Sequence, residues 1–227
     1  VITLMMFFTV FSLSLKQHVG GDDASVTSGV LFLAPGLLMM TMIQNAFANS
    51  SSSLVIAKIQ GNIVDVLMPP LAPWEILTGM MVGALLRCLM IGVLGFVMMR
   101  LIVPLPIQNI GYVLGFGFLG NVMLAVLGII AGLWAEKFDH LATVTNFIVT
   151  PLTFLSGTFY AVSSLPDTWQ YLAHLNPFFY MIDGFRSGFT GFSETNHVIG
   201  LYLLCGIDIG LLAMAWLMLR TGYKTKF

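Results

Sequence analysis

Long stretches without a charged residue constrain this chain more than any other feature. No Asp, Glu, Lys or Arg occurs in residues 24–57, 101–135 or 140–166, and a helix that crosses a bilayer needs only about 20 such residues. Charged residues make up 8% of the chain and its mean hydropathy is +0.94, so too few charges remain to coat a soluble fold. The sequence therefore predicts an integral membrane protein. It excludes a soluble enzyme and a disordered chain, and a net charge of −1 gives no field that would attract nucleic acid.

Six membrane-spanning helices are expected, since exposed loops cannot lie in hydrocarbon and the alternation of a membrane barrel is absent. The predicted fold is therefore all-α, with residues 1–227 forming a single transmembrane domain. The first apolar segment is shorter than a full span and begins at Val1, so we expect its start to be missing from this chain. The predicted spans are residues 1–15, 28–48, 75–99, 109–135, 141–162 and 197–219.

Two charges interrupt the predicted spans, Arg87 and Asp208. Charged residues inside a membrane usually face the interior of the helix bundle, where they line a pathway or form a pair. The sequence leaves both interpretations open.

Glycines recur at four-residue spacing within four predicted spans. Small residues at this spacing let helices approach closely in lipid, either within one bundle or at a subunit interface. The pairs are Gly79/Gly83, Gly111/Gly115, Gly128/Gly132 and Gly206/Gly210.

Lysine and arginine in the short loops predict the orientation, because these residues accumulate on the cytoplasmic side. With both termini cytoplasmic, five basic residues lie inside and three lie outside. The inner set is Lys58, Lys137, Arg220, Lys224 and Lys226, and the outer set is Lys16, Arg100 and Arg186.

The longest cytoplasmic connection, residues 49–73, predicts a short surface helix. Asn49–Ser53 is a run of good helix-capping residues, and it outweighs the glycosylation sequon that begins at Asn49. The next segment, Leu54–Met68, has apolar residues at helical spacing with Lys58, Asn62 and Asp65 on the opposite face. Such a helix lies along the membrane surface, either passively or as a docking element for a cytoplasmic partner.

The connection at residues 163–196 is rich in aromatic residues and is broken at Leu165-Pro166 and Asn176-Pro177. This pattern predicts two short helices that dip into the outer leaflet against protein. Asp183 and Arg186 are three residues apart, so we expect them to pair there.

Several kinds of chemistry are excluded or disfavoured. The chain has no phosphate-binding P-loop, and the G-x-G-x-x-G match at residues 115–120 lies inside a predicted span with no preceding strand. The four histidines are scattered and the two cysteines are isolated in apolar runs, so no metal site or disulfide is expected. An intramembrane hydrolase using Ser156 with His174 or His197 is the enzyme alternative, although Ser156 lacks the preceding glycine of a nucleophile turn.

The order of several motifs resembles the signature region of type-2 ABC exporter permeases. Two inner segments, Ala57–Asp65 and Ala135–Asp139, are also similar to that family, and the resemblance covers essentially the whole chain. It is nearest to bacterial multidrug- or polysaccharide-type permeases, but this chain lacks their connecting helix before the first span. The motifs are Pro151–Tyr160, Leu165-Pro166, Trp169, Asn176-Pro177, Tyr180, Gly184 and Arg186.

The resemblance implies a permease of the bacterial inner membrane with no catalytic residue or cofactor of its own. ATP and Mg would bind two copies of a separate ATPase subunit, and a second permease copy and membrane lipids would be the other partners. The substrate would be amphipathic or drug-like, lipid-linked or a glycan, with a polysaccharide exporter as the alternative within the family. A secondary transporter is the alternative from another class, although inverted repeats and several mid-membrane acids are not seen.

The resemblance also assigns roles to individual residues. Coupling to the ATPase would use Lys58, Gln60, Gly61, Asn62 and Asp65, with a second contact at Glu136, Lys137 and Asp139. The outer re-entrant region would include Ser156, Gly157, Tyr160, Asn176, Pro177, Tyr180, Asp183 and Arg186.

Overall fold

A computed structural model describes residues 2–18, 23–62 and 71–223, and within these ranges all regular structure is helical. An all-helical architecture is what the long apolar stretches predict. The helices are α1 (Ile2–His18), α2 (Asp23–Ile59), α3 (Pro73–Arg100), α4 (Ile110–Trp134), α5 (Phe138–Val144), α6 (Thr150–Phe154), α7 (Asp167–Leu175), α8 (Pro177–Thr190) and α9 (His197–Thr221).

Four helices in the described ranges are long and apolar enough to cross a membrane. They are Ser28–Ile59 within α2, together with α3, α4 and α9. The helix α1 contains a shorter apolar stretch, Ile2–Ser14. The structure thus confirms a multi-span helical protein, while the count of six spans stays a prediction.

The predicted fifth span is helical only in its first part. Between α5 and α6 lies a π-helical turn at Thr145–Val149, where the amide of Thr150 donates to the carbonyl of Thr145. Pro151 follows directly and has no amide hydrogen to donate, so the regular hydrogen bonding of an α-helix is interrupted at this residue. The π-helical turn lies directly before this interruption. The helix ends at Phe154, and the predicted end at residue 162 is wrong.

The predicted break at Asn49–Ser53 is also wrong, because α2 continues without interruption to Ile59. Serine hydroxyls can bond to carbonyls of the preceding helical turn, and all four of these serines do so. Ser50 donates to Ala46 (2.9 Å) and Ser51 to Phe47 (2.7 Å), and both side chains are buried. The run therefore lies inside a helix instead of capping a new one.

Small residues bring α2 and α4 into close contact. A Cβ atom added at Gly132 would lie 2.9 Å from the carbonyl oxygen of Ser51, and one at Gly128 would lie 2.6 Å from that of Phe47. The predicted role of the Gly128/Gly132 pair in packing within the bundle is confirmed. Around Gly79, Gly83, Gly206 and Gly210 no described atom lies within 4 Å of such a Cβ, so these glycines do not pack within the described bundle.

The residues just before α4 bond to α8. The amides of Gln108 and Asn109 both donate to the carbonyl of Gly188 at 2.9 Å, and the ring of Phe116 lies against Gly184. Because α8 contacts α4 through two glycines, it is almost entirely buried. The core therefore runs along α2 and α4, with α8 closing one end.

Candidate functional site

Lys58 joins the two segments that the sequence assigns to contacts with a cytoplasmic partner. Its ammonium group donates to the carbonyl oxygens of Leu133 and Ala135, at the C-terminal end of α4. The last carbonyls of a helix have no partner within it and carry partial negative charge, so a lysine is well suited to this position. Its ammonium group is therefore bonded within the chain, and the predicted contact of Lys58 with a cytoplasmic partner stays a prediction.

The residues after Lys58 are exposed. Gly61 has φ +76°, a left-handed conformation that favours glycine, and it follows the end of α2. Gln60 and Asn62 flank it at the surface. The remaining predicted coupling residue, Asp65, lies outside the described residues.

The second predicted contact lies beside this turn. Glu136, Lys137 and Asp139 are all exposed in the short connection between α4 and α5 and in the first turn of α5. Lys58 bonds to Ala135, the residue before Glu136. The structure thus brings both predicted segments together at one end of the bundle.

At the other end, Asn176 connects α8 to α6. Its side-chain oxygen caps α8 by accepting from the amide of Phe178 (3.1 Å), and its amide nitrogen donates to the carbonyl of Leu152 (2.6 Å). Pro177 occupies the first turn of α8, where its missing amide hydrogen costs nothing. The predicted break at Asn176-Pro177, with a short helix on either side, is confirmed.

Asp183 and Arg186 do not form the predicted pair. The carboxylate of Asp183 accepts hydrogen bonds from the loop that follows α8: from Ser193 Oγ (2.8 Å), Glu194 N (3.1 Å), Thr195 N (3.0 Å) and Thr195 Oγ1 (2.7 Å). These donors lie ten to twelve residues beyond Asp183, so the spacing on α8 alone could not reveal them. The carboxylate orders the loop between α8 and α9.

Arg186 faces a different part of the chain. Its Nη2 atom donates to the carbonyls of Gly157 (2.7 Å) and Thr158 (3.4 Å), and the guanidinium lies 3.7 Å from the centre of the Phe32 ring. Burial lowers the pKa of Arg186 to about 10, while the charges of Asp183 and Glu194 act in the opposite direction. Arg186 therefore stays protonated at neutral pH and holds the turn after α6 against α2.

Gly157 shapes this turn. Its φ of +72° lies in the left-handed region, and a Cβ atom there would lie 2.9 Å from a methyl carbon of Val162. The hydroxyl of Tyr160 donates to the carbonyl of Phe154 (3.1 Å) and closes the same turn. Tyr180 packs its ring against Phe179 at 5.6 Å. These predicted residues thus shape and pack the backbone near the end of α6.

In the described part of the chain, Ser156 makes no hydrogen bond to a histidine. Its hydroxyl donates to the carbonyl of Thr153 and lies 3.0 Å from the Thr158 hydroxyl, and its side chain is buried. His174 packs edge-on against Phe179, and His197 contacts the hydroxyl of Ser187 at 2.7 Å. The arrangement does not provide the nucleophile and base that a hydrolase needs.

The two charges within the predicted spans also remain apart. Arg87 donates to the side-chain oxygen of Asn49 on α2 at 2.7 Å. Both carboxylate oxygens of Asp208 are buried without a hydrogen-bond partner in the described part of the chain. The pairing interpretation is wrong for Arg87 with Asp208, and the question of a pathway stays open.

Sequence analysis missed a polar contact that joins α4, α8 and α9. His197 contacts Ser187 and stacks its ring on that of Tyr112 at 4.4 Å between centres. Ser187 and His197 are ten residues apart and Tyr112 is remote from both, and together they form no recognisable motif. The sequence does contain Asn196, a residue type that often caps helices, and it caps α9. This residue indicates where the helix begins but not what it contacts.

Comparison with known proteins supplies a family. The profile of the ABC-2 type transporter family matches residues 1–190. The chain is 35% identical over 222 residues to the inner membrane transport permease YadH of Escherichia coli (strain K12), an alignment that covers 98% of this chain and 86% of YadH. It is also similar to Nodulation protein J of Rhizobium leguminosarum bv. viciae, with 28% identity over 85 residues that cover 37% of this chain and 33% of that protein.

Proposed function

This chain belongs to the ABC-2 type transporter family, and from that premise we propose that it is the membrane-spanning permease of an ATP-driven exporter in a bacterial inner membrane. A separate subunit, present in two copies, binds and hydrolyses ATP with Mg, and a second copy of this chain completes the membrane unit. The similarity to the inner membrane transport permease YadH supports this location and role. The absence of a P-loop in the sequence agrees with a separate ATPase.

The observation that carries the proposal is the joining of two exposed polar segments by Lys58. The turn at residues 60–62 and the connection at residues 136–139 lie at the same end of the bundle. A partner that contacts both could move α2 and α4 together, and these two helices form the core of the protein. Closure of the paired ATPases would supply the free-energy difference between the two transport states.

The substrate class we propose is an amphipathic or drug-like molecule, a lipid-linked molecule or a glycan, moved outward. A polysaccharide chain is the alternative within the family. Asp208 supports an alternative from another class, a proton-coupled carrier. Its carboxylate is buried without a described hydrogen-bond partner, which is a feature of such carriers. A single such acid is weak support, since carriers usually show several together with inverted repeats.

The test is purification of the tagged protein from its native host in mild detergent, with identification of the proteins that co-purify. A stoichiometric soluble subunit with a P-loop is expected. Reversing the charges of Glu136 and Asp139 to lysine should reduce its recovery several-fold. Reversal of Asp167, an exposed acid at the start of α7, is the matched control and should leave recovery unchanged. A cross-linked preparation with no ATPase subunit would contradict the proposal.

A further inference from the structure

An elongated apolar cleft lies along the outside of the bundle, between α3 and α4. Its volume is about 720 Å³, within the usual range for a small-molecule site. It runs along α3 from Val82 to Phe96, which is about 21 Å at the rise of an α-helix. The lining residues Leu89, Val93 and Leu114 are more than half exposed. In a membrane this cleft opens towards lipid, and its length along α3 is suited to an extended chain.

One end of the cleft carries an unused hydrogen-bond acceptor. Asn121 is the lining residue with an amide side chain, and the side chains around it are apolar. The Asn121 side chain is only 2% exposed; its Nδ2 donates to the carbonyl of Gly117 at 2.7 Å, and its Oδ1 has no partner. An unpaired buried acceptor costs free energy, and an apolar cavity does not hold water readily. The Oδ1 atom is itself enclosed in this structure, so a donor on a bound molecule would satisfy it once the amide turns towards the cleft.

The opposite end of the cleft carries a positive charge. Arg100 is exposed at the last residue of α3, and its guanidinium lies 5.9 Å from the centre of the Phe96 ring, which lines the cleft. No ion pair of Arg100 with another described residue is present. A guanidinium forms charge-assisted hydrogen bonds with the carboxylate or phosphate group of an anionic lipid.

We propose that this cleft binds the acyl chain of an anionic lipid, with the headgroup at Arg100 and a hydroxyl on the chain donating to Asn121. The charge at one end, the apolar lining and the acceptor at the other end match the three parts of such a molecule. The site lies outside the proposed coupling region. It is independent of the exported substrate, so it can be tested whether or not the export function holds.

The test uses the purified full chain in phosphatidylcholine vesicles with two photoactivatable fatty acids, one carrying a hydroxyl near carbon 12 and one without it. Cross-linked peptides are identified by mass spectrometry. The expected adducts lie on residues 82–96 and 110–121. The hydroxylated probe should label about two- to tenfold more strongly, as one hydrogen bond provides. Equal labelling by the two probes, or labelling spread evenly over all exposed helices, would overturn the proposal.

Matched variants identify each part of the site. Val93→Trp fills the cleft and should reduce labelling by both probes several-fold. Leu94→Trp should not reduce it, because Leu94 is exposed one residue away and does not line the cleft.

Asn121→Leu should abolish the preference for the hydroxylated probe but keep labelling by the probe without the hydroxyl. Arg100→Gln should weaken labelling by both probes by about fivefold, the upper range for one exposed ion pair. Equal effects of Val93→Trp and Leu94→Trp would count against the cleft.

Discussion

The ammonium group of Lys58, one residue before the end of α2, donates a hydrogen bond of 3.0 Å to the carbonyl of Ala135, just beyond the end of α4. These two residues are 77 positions apart in the sequence. The bond ties the ends of the two most central helices together where the chain exposes its predicted partner contacts. We expect a movement imposed on either segment to be transmitted to both helices.

Replacing Lys58 by methionine should uncouple the permease from its ATPase. Methionine keeps most of the apolar stem but cannot donate to the carbonyls of Leu133 and Ala135, so the two contact segments lose their fixed relation. We expect a several-fold loss of ATP hydrolysis coupled to transport in the purified complex, with near-normal protein levels. Lys58→Arg keeps a donor and a charge, and it should restore most of the activity. Full activity of Lys58→Met would show that the bond has no role in coupling.

The loop between α8 and α9 should depend on the negative charge of Asp183. An asparagine at this position has the same size but keeps only one acceptor oxygen, so the donors that face its NH₂ group lose their partner. Each unpaired donor costs up to about 1–3 kcal/mol, so Asp183→Asn should lower the thermal unfolding temperature in detergent. Asp167→Asn removes an exposed carboxylate and is the control. Equal effects of the two substitutions would contradict this role.

Arg186 should act through shape as well as charge. Lysine can donate to the carbonyls of Gly157 and Thr158 but cannot place a flat cation on the ring of Phe32. We expect Arg186→Lys to destabilise the protein by less than Arg186→Met. Phe32→Leu should cost about 0.5–2 kcal/mol, the usual value of a cation–π contact. Unfolding temperatures of the three variants measure these effects, and an Arg186→Lys protein as unstable as Arg186→Met would contradict the order.

The main features of the fold could be predicted because they depend on composition. Uncharged stretches longer than a bilayer require helices, and four of the described helices meet that requirement. The break at Asn176-Pro177 was also visible, since Asn caps helices and Pro begins them. Local chemistry was sufficient in each case.

The errors arose where tertiary packing decides the conformation. A run of four serines suggests the cap of a new helix, but Ser50 and Ser51 bond to carbonyls of their own helix, which packs closely on Gly128 and Gly132 of α4. The spacing of Asp183 and Arg186 suggests a pair, but each bonds to other segments of the chain instead. Contacts between residues remote in sequence carry no signal in a single sequence, and they fix these positions.

Asp208 provides a test between an ATP-driven permease and a proton-coupled carrier. A charged residue within a membrane helix costs about 2.5–3.5 kcal/mol on insertion scales, and here no described residue compensates it. If the carboxylate has no role in transport, Asp208→Leu should raise the unfolding temperature and preserve ATP-driven export. Loss of transport in a well-folded Asp208→Leu or Asp208→Asn protein, together with sensitivity to a protonophore, would favour the carrier.

The two ends of the bundle should lie on opposite sides of the membrane. Lys137 is exposed beside the predicted ATPase contacts, and Ser163 is exposed in the turn that precedes α7. In a background with Cys88→Ala and Cys205→Ala, a cysteine at Ser163 should react in intact cells with a reagent that does not cross the inner membrane. A cysteine at Lys137 should react only after the cells are opened. Labelling of both positions from the same side would overturn the topology and, with it, the assignment of residues 136–139 to a cytoplasmic contact.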